Sequence, residues 1–306
     1  MVPFAVSRQE PRYLVIGADS LVGTSLVAQL EKVGADVTAT TRKAKTVGPK
    51  RLFLDLTDAD AKTFWPAGHS VAILCAAITS IAVCEDDPVR TYQINVLNTV
   101  ALAKRLIAEG TRIVFLSSNT VFDGVAAWPD EETSYSPTCE YGRQKVSVER
   151  QLLSLSTPSA PITIVRLSKV LAPGAGMAGD FLRHLMAGEP CPAFTDLRMC
   201  PASLDYTTGS LLTIARAGIS GIFHLSGEVE LSYADFASRI AVRLGADPLL
   251  VQPSLSTCSG VRVISQPVHP GLRMQRTYIR LGISPEPLNE LMDTLLQKDS
   301  QRLIYK

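Results

Sequence analysis

The sequence lacks three features that would each place it in a distinct class of protein: an excess of one charge, a long hydrophobic run and paired cysteines. Its 306 residues carry 30 Lys and Arg against 29 Asp and Glu, for a formal net charge of +1. A chain so close to neutrality has no long-range field to attract a polyanion. Its longest apolar run, Val71 to Ile78, is far shorter than the roughly 20 residues that a helix needs to cross a bilayer. We therefore expect neither nucleic acid nor a membrane among its partners.

The cysteines and histidines show no pattern typical of a metal site or a disulfide framework. The six cysteines, none of them in a C-x-x-C pair, are Cys75, Cys84, Cys139, Cys191, Cys200 and Cys258. The four scattered histidines are His69, His184, His224 and His269. We expect reduced, mostly buried thiols in a cytoplasmic protein, structural or surface roles for the histidines, and no metal. Residues 1–11 show no extended apolar core typical of a secretory signal and are expected to form a loose N-terminal tail.

Short β-branched runs alternate with longer helical stretches through the first half of the chain, which is typical of a parallel sheet covered on both faces. Strands are expected at Tyr13–Ile16, Asp36–Thr40, Arg51–Leu54, Val71–Ala76, Arg112–Ser117 and Ile162–Arg166. Helices are expected at Leu21–Val33, around Asp60–Trp65, at Pro88–Glu109 and from about Glu140 to Leu155. The pattern predicts an α/β fold of the Rossmann type with a doubly wound parallel sheet.

The second half of the chain predicts a smaller, discontinuous C-terminal α/β domain for the substrate. From Leu171 to Pro201 the sequence becomes rich in Gly, Pro and Cys, whereas Gly221–Leu225 is a short strand that could rejoin the main sheet. We expect an NADP-binding domain of residues 12–170 plus about 203–226. Residues 171–202 plus about 227–306 would form the substrate domain.

The first expected strand runs directly into G-A-D-S-L-V-G, Gly17 to Gly23, and then into a helix. In this context Gly17 permits a tight turn, the amides at the helix N-terminus face a pyrophosphate, and Gly23 allows close packing of helix on strand. Ser20 replaces the usual central glycine. The motif predicts a dinucleotide site, with a purely structural turn as the alternative.

The second expected strand ends in T-T-R-K, with no acid to hold the ribose hydroxyls of NAD. Thr41, Arg42 and Lys43 offer a hydroxyl and two cations instead, which favours NADP(H) over NAD(H). The alternative is a solvated basic loop. Asp55, after the third strand, is placed either to accept from the adenine amino group or to cap the next helix.

Tyr141 and Lys145 lie four residues apart in Y-G-R-Q-K on an expected helix, so the phenol and the ammonium share one face. A nearby ammonium favours the phenolate, so we expect it to lower the pKa of the tyrosine toward that of a useful proton donor. Ser118, at the end of the fifth strand, can bind the same substrate oxygen, because ligands gather beyond the carboxyl ends of parallel strands.

Several segments resemble the extended short-chain dehydrogenase/reductase family and, within it, the dTDP-4-dehydrorhamnose reductases. They are V-F-D-G (Val121–Gly124), Y-G-R-Q-K (Tyr141–Lys145), C-A-A-I-T (Cys75–Thr79), Q-I-N-V-L-N-T (Gln93–Thr99) and G-I-F-H-L-S-G (Gly221–Gly227). The resemblance implies that Ser118, Tyr141 and Lys145 form the catalytic triad. The cofactor residues that it implies are Gly17, Ser20, Leu21, Val22, Arg42, Asp55, Leu56, Ala76, Ala77, Asn95 and, next to the nicotinamide, Arg166.

The substrate side departs from that family. Leu74–Glu85 lacks a Tyr, an Asp and a Lys that the rhamnose-forming reductases commonly have, and Lys169 stands where they often have Trp. Because a sheet of this kind holds the dinucleotide on one side, the chain after the sixth strand should enclose the substrate. The candidate substrate contacts are Thr79, Asn119, Lys169 and Arg198, the last two as cations for a diphosphate unless they merely face solvent.

These features predict an NADPH-dependent reductase acting on a keto group of a nucleotide-activated sugar, with a homodimer as its expected assembly. Two alternatives stay open. One is a sugar-nucleotide epimerase or dehydratase, and the other is a non-catalytic NADP-binding regulatory subunit similar to the methionine adenosyltransferase beta subunit.

Overall fold

The computed structural model describes residues 11–57 and 68–304, and the side chains of this range as far as residue 296. Its strands are β1 (Tyr13–Ile16), β2 (Val37–Thr41), β3 (Arg51–Phe53), β4 (Val71–Leu74), β5 (Arg112–Ser118), β6 (Ile162–Leu167), β7 (Lys169–Leu171), β8 (Cys191–Phe194), β9 (Arg198–Met199), β10 (Pro201–Ser203), β11 (Gly221–Leu225), β12 (Leu231–Ser232) and β13 (Val251–Ser254). Its α-helices are α1 (Leu21–Lys32), α2 (Ile81–Asp86), α3 (Pro88–Tyr92), α4 (Thr99–Ala108), α5 (Glu140–Leu155), α6 (Gly176–Ala187), α7 (Leu204–Ala217), α8 (Tyr233–Leu244), α9 (Gln275–Leu281) and α10 (Leu288–Ile304).

The central sheet has seven strands in the order β11-β6-β5-β4-β1-β2-β3. Every neighbouring pair in it is parallel, and β11 pairs with β6 as expected for Gly221–Leu225. The chain reverses its winding between β1 and β4, which places a crevice beyond their carboxyl ends. The expected Rossmann-type doubly wound sheet is confirmed.

Both faces of the sheet are buried, which explains why its strands are continuous apolar runs rather than alternating ones. Tyr13 and Val15 of β1 pack into one core with α1 and α7. Leu14 and Ile16 point the other way, into a second core with α4 and α5. Successive side chains of a strand face opposite sides, so four residues of β1 join two cores.

The helix expected at Pro88–Glu109 is interrupted. Between α3 and α4 the backbone forms a π-helical segment, Gln93–Asn98, in which Asn95 is buried. The preceding stretch contains α2, whose first turn is capped by the Ser80 hydroxyl. The helix expected around Asp60–Trp65 lies outside the described residues.

A third hydrophobic core lies in the second half of the chain, where α6, α8 and α10 pack with β8 and β13. The division into a cofactor domain and a substrate domain stays a prediction. Residues 274–283, assigned from the sequence to that unit, pack instead on the first core of the main sheet through Met274 and Leu281. The sequence could not show this, because the Thr277 side chain reaches the backbone of β11 across 53 residues of chain. No helix within the described ranges is long and apolar enough to span a membrane.

Candidate active site

Two cavities lie beyond the carboxyl ends of the central strands. The first has a volume of about 380 Å³, and the predicted cofactor residues on its wall are Gly17, Ser20, Thr41, Arg42, Asp55, Leu56, Ala76 and Ala77. The second has a volume of about 420 Å³, and the predicted residues on its wall are Ser118, Tyr141, Thr79, Asn119, Lys169 and Arg198. Leu21, Val22 and Lys43 belong to the segments beside the first cavity but do not line it. The structure thus separates the predicted cofactor residues from the predicted substrate residues.

The glycine turn brings the backbone of β1 against the start of the segment after β4. Gly17 has φ +84°, and a Cβ at this position would lie 2.6 Å from the Ala76 backbone nitrogen. A Cβ on Gly23 would lie 2.3 Å from the Gly17 carbonyl oxygen. The Ser20 hydroxyl accepts from the Gly23 N–H at 3.0 Å and so caps α1. Serine therefore replaces the usual glycine here with a gain in helix capping, and the turn leaves the N-terminal amides of α1 beside the cavity.

Asp19 also lines this cavity, although it was not among the residues predicted from the sequence. Its carboxylate accepts from the Thr41 hydroxyl at 2.7 Å, from the Arg42 N–H at 3.1 Å and from the Arg51 guanidinium at 3.1 Å. Burial by itself would raise the pKa of Asp19, but these hydrogen bonds hold the pKa below its usual value. The end of β2 itself has no acid, as expected from the sequence. The folded chain nevertheless places the Asp19 carboxylate there, from the glycine turn. The only sequence signal was the acid inside G-A-D-S itself.

The cations after β2 face a different environment from Asp19. The side chains of Arg42 and Lys43 are exposed and make no ion pair with any described residue. The Asp55 carboxylate accepts from the Thr57 N–H at 2.9 Å, which closes a short turn. Arg42 and Asp55 thus present charges of opposite sign to the same cavity.

Two of the three predicted catalytic residues, Ser118 and Tyr141, lie on the wall of the second cavity, whereas Lys145 is buried on α5 and lines neither cavity. Ser118 ends β5, and its hydroxyl accepts from the Thr120 N–H at 3.2 Å. Tyr141 and Lys145 lie on one face of α5, and the Lys145 Nζ lies 5.5 Å from the centre of the Tyr141 ring. The Lys145 ammonium donates to the Leu116 carbonyl at 2.7 Å, which anchors it to β5.

The titration of these groups differs from the sequence-based expectation. Burial raises the pKa of Tyr141, with smaller contributions from Cys84 and Cys139, and burial lowers the pKa of Lys145 to about 8. The expected lowering of the tyrosine pKa by Lys145 is therefore wrong for this arrangement, because desolvation of the phenol is the larger effect. The phenol stays neutral and keeps a proton that it can donate.

Arg166, predicted to contact the cofactor, is a buried structural residue. Its side chain is 1% exposed, and its guanidinium lies 2.7 Å from the carboxylate of Glu149, one turn after Lys145 on α5. Glu149 also accepts from Tyr135 at 2.9 Å and from the Ser117 hydroxyl. The position of Arg166 at the end of a strand was predicted correctly. Its ion pair with Glu149 joins β6 to α5, and nothing in the sequence next to either residue indicates it. This cluster fixes α5 on β5 and β6, and with it the spacing of the catalytic residues.

Asn95 is likewise removed from the cofactor cavity. Its side chain accepts from the Ile78 N–H at 2.8 Å and donates to the Ile78 carbonyl at 2.9 Å and to Gln144 at 2.8 Å. It therefore acts behind the wall, where it holds the segment of Ala76, Ala77 and Ile78 in place.

The substrate side of the second cavity contains polar groups that the protein leaves unsatisfied. The buried Nε of Arg198 and the hydroxyls of Thr120 and Ser168 have no hydrogen-bond partner in the described structure. His269, which the sequence analysis assigned a structural or surface role, also lines this cavity. In the described part of the chain no three His, Cys, Asp or Glu side chains are grouped so that they could hold a metal ion.

A parallel Rossmann-type sheet with a glycine turn after β1 and with Ser118, Tyr141 and Lys145 at the ends of β5 and α5 defines an extended short-chain dehydrogenase/reductase. Residues 11–300 match the family model described as the RmlD substrate binding domain, and the chain belongs to this family. It is therefore an NAD(P)-dependent oxidoreductase of the extended type, which confirms the family and the enzyme class expected from the sequence.

Known proteins similar to this chain agree with that assignment. The dTDP-4-dehydrorhamnose reductase of Mycolicibacterium smegmatis is 30% identical over 285 residues, which cover 90% of this chain and 81% of the relative. The structure of dTDP-4-dehydrorhamnose reductase from Bacillus anthracis in complex with NADP has a TM-score of 0.79 at 19% identity and covers 95% of this chain and 100% of its own. MoeE5 in complex with UDP-glucose and NAD also has a TM-score of 0.79, at 20% identity, with 95% and 99% covered. The two structures confirm the fold.

Proposed function

We propose that the protein is an NADPH-dependent reductase of a keto group on a nucleotide-activated sugar. The observation that carries this proposal is the position of Ser118 and Tyr141 on the second cavity. Its wall takes up at Thr79 where that of the glycine-turn cavity ends at Ile78, and it holds two cations with no acidic partner among the described residues. The names of the relatives support it, since one is a dTDP-4-dehydrorhamnose reductase and the solved neighbours hold NADP or NAD and, in one case, UDP-glucose.

The residues of the first cavity fit a dinucleotide. The approach of Gly17 to Ala76 leaves no room for a side chain, and it opens the amides at the N-terminus of α1 to a pyrophosphate. The exposed Arg42 supports a preference for NADP(H), because its guanidinium is free to pair with a 2′-phosphate. Asp19 opposes that preference less than an unpaired acid would, since three donors already occupy its carboxylate.

The chemistry divides among a few side chains. The bound cofactor would supply the hydride. Tyr141, kept neutral by burial, gives its proton to the oxygen of the carbonyl, and the Ser118 hydroxyl donates a hydrogen bond to that oxygen. Lys145, anchored to the Leu116 carbonyl, stabilises the negative charge left on the phenol. Lys169 and Arg198 bind the diphosphate of the sugar nucleotide.

Turnover with a panel of substrates tests this function. The full chain is incubated with NADPH and with dTDP- and UDP-linked 4-keto-6-deoxy sugars, and NADPH consumption is followed. We expect consumption with at least one member and not with free keto sugars, which lack the diphosphate. Absence of consumption with every nucleotide sugar, together with stoichiometric binding to another enzyme in a pull-down, would favour a regulatory subunit instead.

Two further expectations belong to this proposal. The six cysteines are all unpaired, which supports a reducing compartment such as the cytoplasm. A homodimer stays a prediction, which sedimentation of the purified protein tests directly.

A further inference from the structure

A histidine on the wall of the second cavity is held by a glutamate behind it. The Nδ1 of His269 lies 2.9 Å from one carboxylate oxygen of Glu230, and the other oxygen accepts from the Gly271 N–H at 2.8 Å. The His269 side chain is 34% exposed and that of Glu230 only 8%. Because a carboxylate accepts and does not donate, the hydrogen bond to Glu230 assigns the proton to Nδ1, and Nε2 is the acceptor of that tautomer.

The backbone around this histidine is fixed against the catalytic end of the sheet. The His269 N–H donates to the Gly124 carbonyl at 2.8 Å, and the Asn119 amide donates to the Pro270 carbonyl at 2.8 Å. At Gly124, which has φ +72°, a Cβ would lie 2.2 Å from the Cβ of Pro267. Asn119 directly follows Ser118, so the ring of His269 is oriented before a ligand arrives, relative to the residue that binds the reacting oxygen.

The net charge at His269 differs from the charge at the two cations of the same cavity. The pair of a neutral imidazole and a carboxylate carries a negative charge, and protonation of the ring only cancels it. Lys169 and Arg198 have no acidic partner among the residues that the structure describes. A diphosphate is therefore bound more favourably by these two cations, whereas Nε2 of His269 suits an uncharged donor such as a hydroxyl.

We propose that His269, oriented by Glu230, accepts a hydrogen bond from a hydroxyl of the sugar ring whose keto group is reduced. This inference rests on the proposed function, because it requires a sugar nucleotide in the second cavity. It gives His269 the role of a specificity residue, which selects sugars that place a hydroxyl opposite Nε2, and it gives Glu230 the role of a positioning residue.

Calorimetric binding to the full chain saturated with NADP⁺ separates the sugar from the rest of the ligand. The probes are dTDP and UDP, and their unreactive sugar derivatives dTDP-glucose and UDP-glucose. His269→Ala should weaken binding of the preferred sugar nucleotide roughly five- to tenfold and leave binding of the matching nucleoside diphosphate unchanged. His269→Gln, which keeps an acceptor, should recover part of the loss, and Glu230→Gln should weaken the sugar nucleotide to a smaller extent. His184→Ala, on α6 and away from both cavities, is the matched control and should change neither.

The outcomes distinguish a failure of this inference from a failure of the proposed function on which it rests. Equal weakening of the sugar nucleotide and of the nucleoside diphosphate by His269→Ala and His269→Gln, or weakening of neither, would overturn the role of His269 and leave the proposed function standing. If the wild-type chain binds none of the four probes, the proposed function fails and the inference fails with it. A change in melting temperature without selective loss of the sugar nucleotide would assign the histidine a structural role only.

Discussion

The two cavities of the active site are built in opposite ways. The cofactor cavity is centred on one short stretch, Gly17 to Gly23, which a glycine spacing marks in the sequence, and the ends of β2, β3 and β4 complete its wall. The substrate cavity is assembled from the ends of β5 and β6, from β7 and β9, and from residues 265–270. A local motif can be recognised from spacing alone, whereas an assembled wall depends on packing over long stretches of chain. Changes to the wall of the substrate cavity therefore need not alter the glycine turn of the cofactor cavity.

The largest effect is expected at Tyr141, on the wall of the second cavity. Tyr141→Phe removes the proton donor and keeps the ring, so kcat should fall by roughly 10²- to 10⁴-fold while NADPH affinity survives. Steady-state kinetics and fluorescence titration of NADPH give the two numbers. Tyr278→Phe is the control, because this exposed phenol on α9 lines neither cavity and lies outside the cluster that fixes α5. Near-normal turnover of Tyr141→Phe would remove this residue from the role of proton donor.

The next effect concerns the buried pair that holds the catalytic helix. Arg166→Met leaves the Glu149 carboxylate buried without its partner and should lower the free energy of unfolding by about 3–5 kcal/mol. Urea denaturation measures this. The double variant Glu149→Met with Arg166→Met, in which no charge is left unpaired, should recover most of the loss. If both proteins are as stable as the wild type, the pair does not fix α5.

A smaller effect is confined to the cofactor cavity. Arg42→Asp sets a carboxylate where we expect the 2′-phosphate, so NADPH binding should weaken by about 1.5–3 kcal/mol more than NADH binding. Kd values for both cofactors test this. Lys45→Asp makes the same change of charge nearby, outside the cavity, and should affect the two cofactors alike. Equal effects of Arg42→Asp on NADPH and NADH would show that Arg42 does not recognise the phosphate.

The smallest expected difference is the one between two glycines of positive φ, only one of which is closely approached by another segment. Gly17 and Gly34 both have positive φ, but only Gly17 is crowded, since nothing lies within 4 Å of a Cβ on Gly34. Gly34→Ala should cost about 1 kcal/mol of stability, and Gly17→Ala about 1–3 kcal/mol more together with weaker NADPH binding. Thermal unfolding and NADPH titration of the two variants make the comparison. If they behave alike, the approach of Gly17 to Ala76 is unimportant.

The contrast between a local motif and a wall assembled by long-range packing also explains what could be predicted from the sequence. The sheet strands, the helix Glu140–Leu155 and the placement of Tyr141 and Lys145 follow from periodicity and spacing, which act within one element. Asp19 was missed because its partners at the end of β2 and on β3 are distant in sequence. Arg166 was misassigned for the same reason, since its position at a strand end is local information and its pairing with Glu149 is not.

His269 shows most clearly which site residues could not be predicted from the sequence. Nothing in the spacing of His269 connects it with Glu230, 39 residues earlier, or with Ser118. The π-helical segment is a similar case, because the buried pairing of Asn95 with Ile78 offsets the cost of a widened turn that helical periodicity alone does not predict. Both features depend on tertiary contacts between separate segments.

Transfer of deuterium from labelled NADPH tests the central claim most directly. The protein is incubated with NADPH deuterated at the transferable position and with the nucleotide keto sugar that it turns over, and the product is analysed by mass spectrometry and NMR. Our account predicts one deuterium at the former carbonyl carbon of the sugar and one NADPH oxidised for each sugar reduced. A rearranged sugar without deuterium, with the NADPH recovered unchanged, would contradict it.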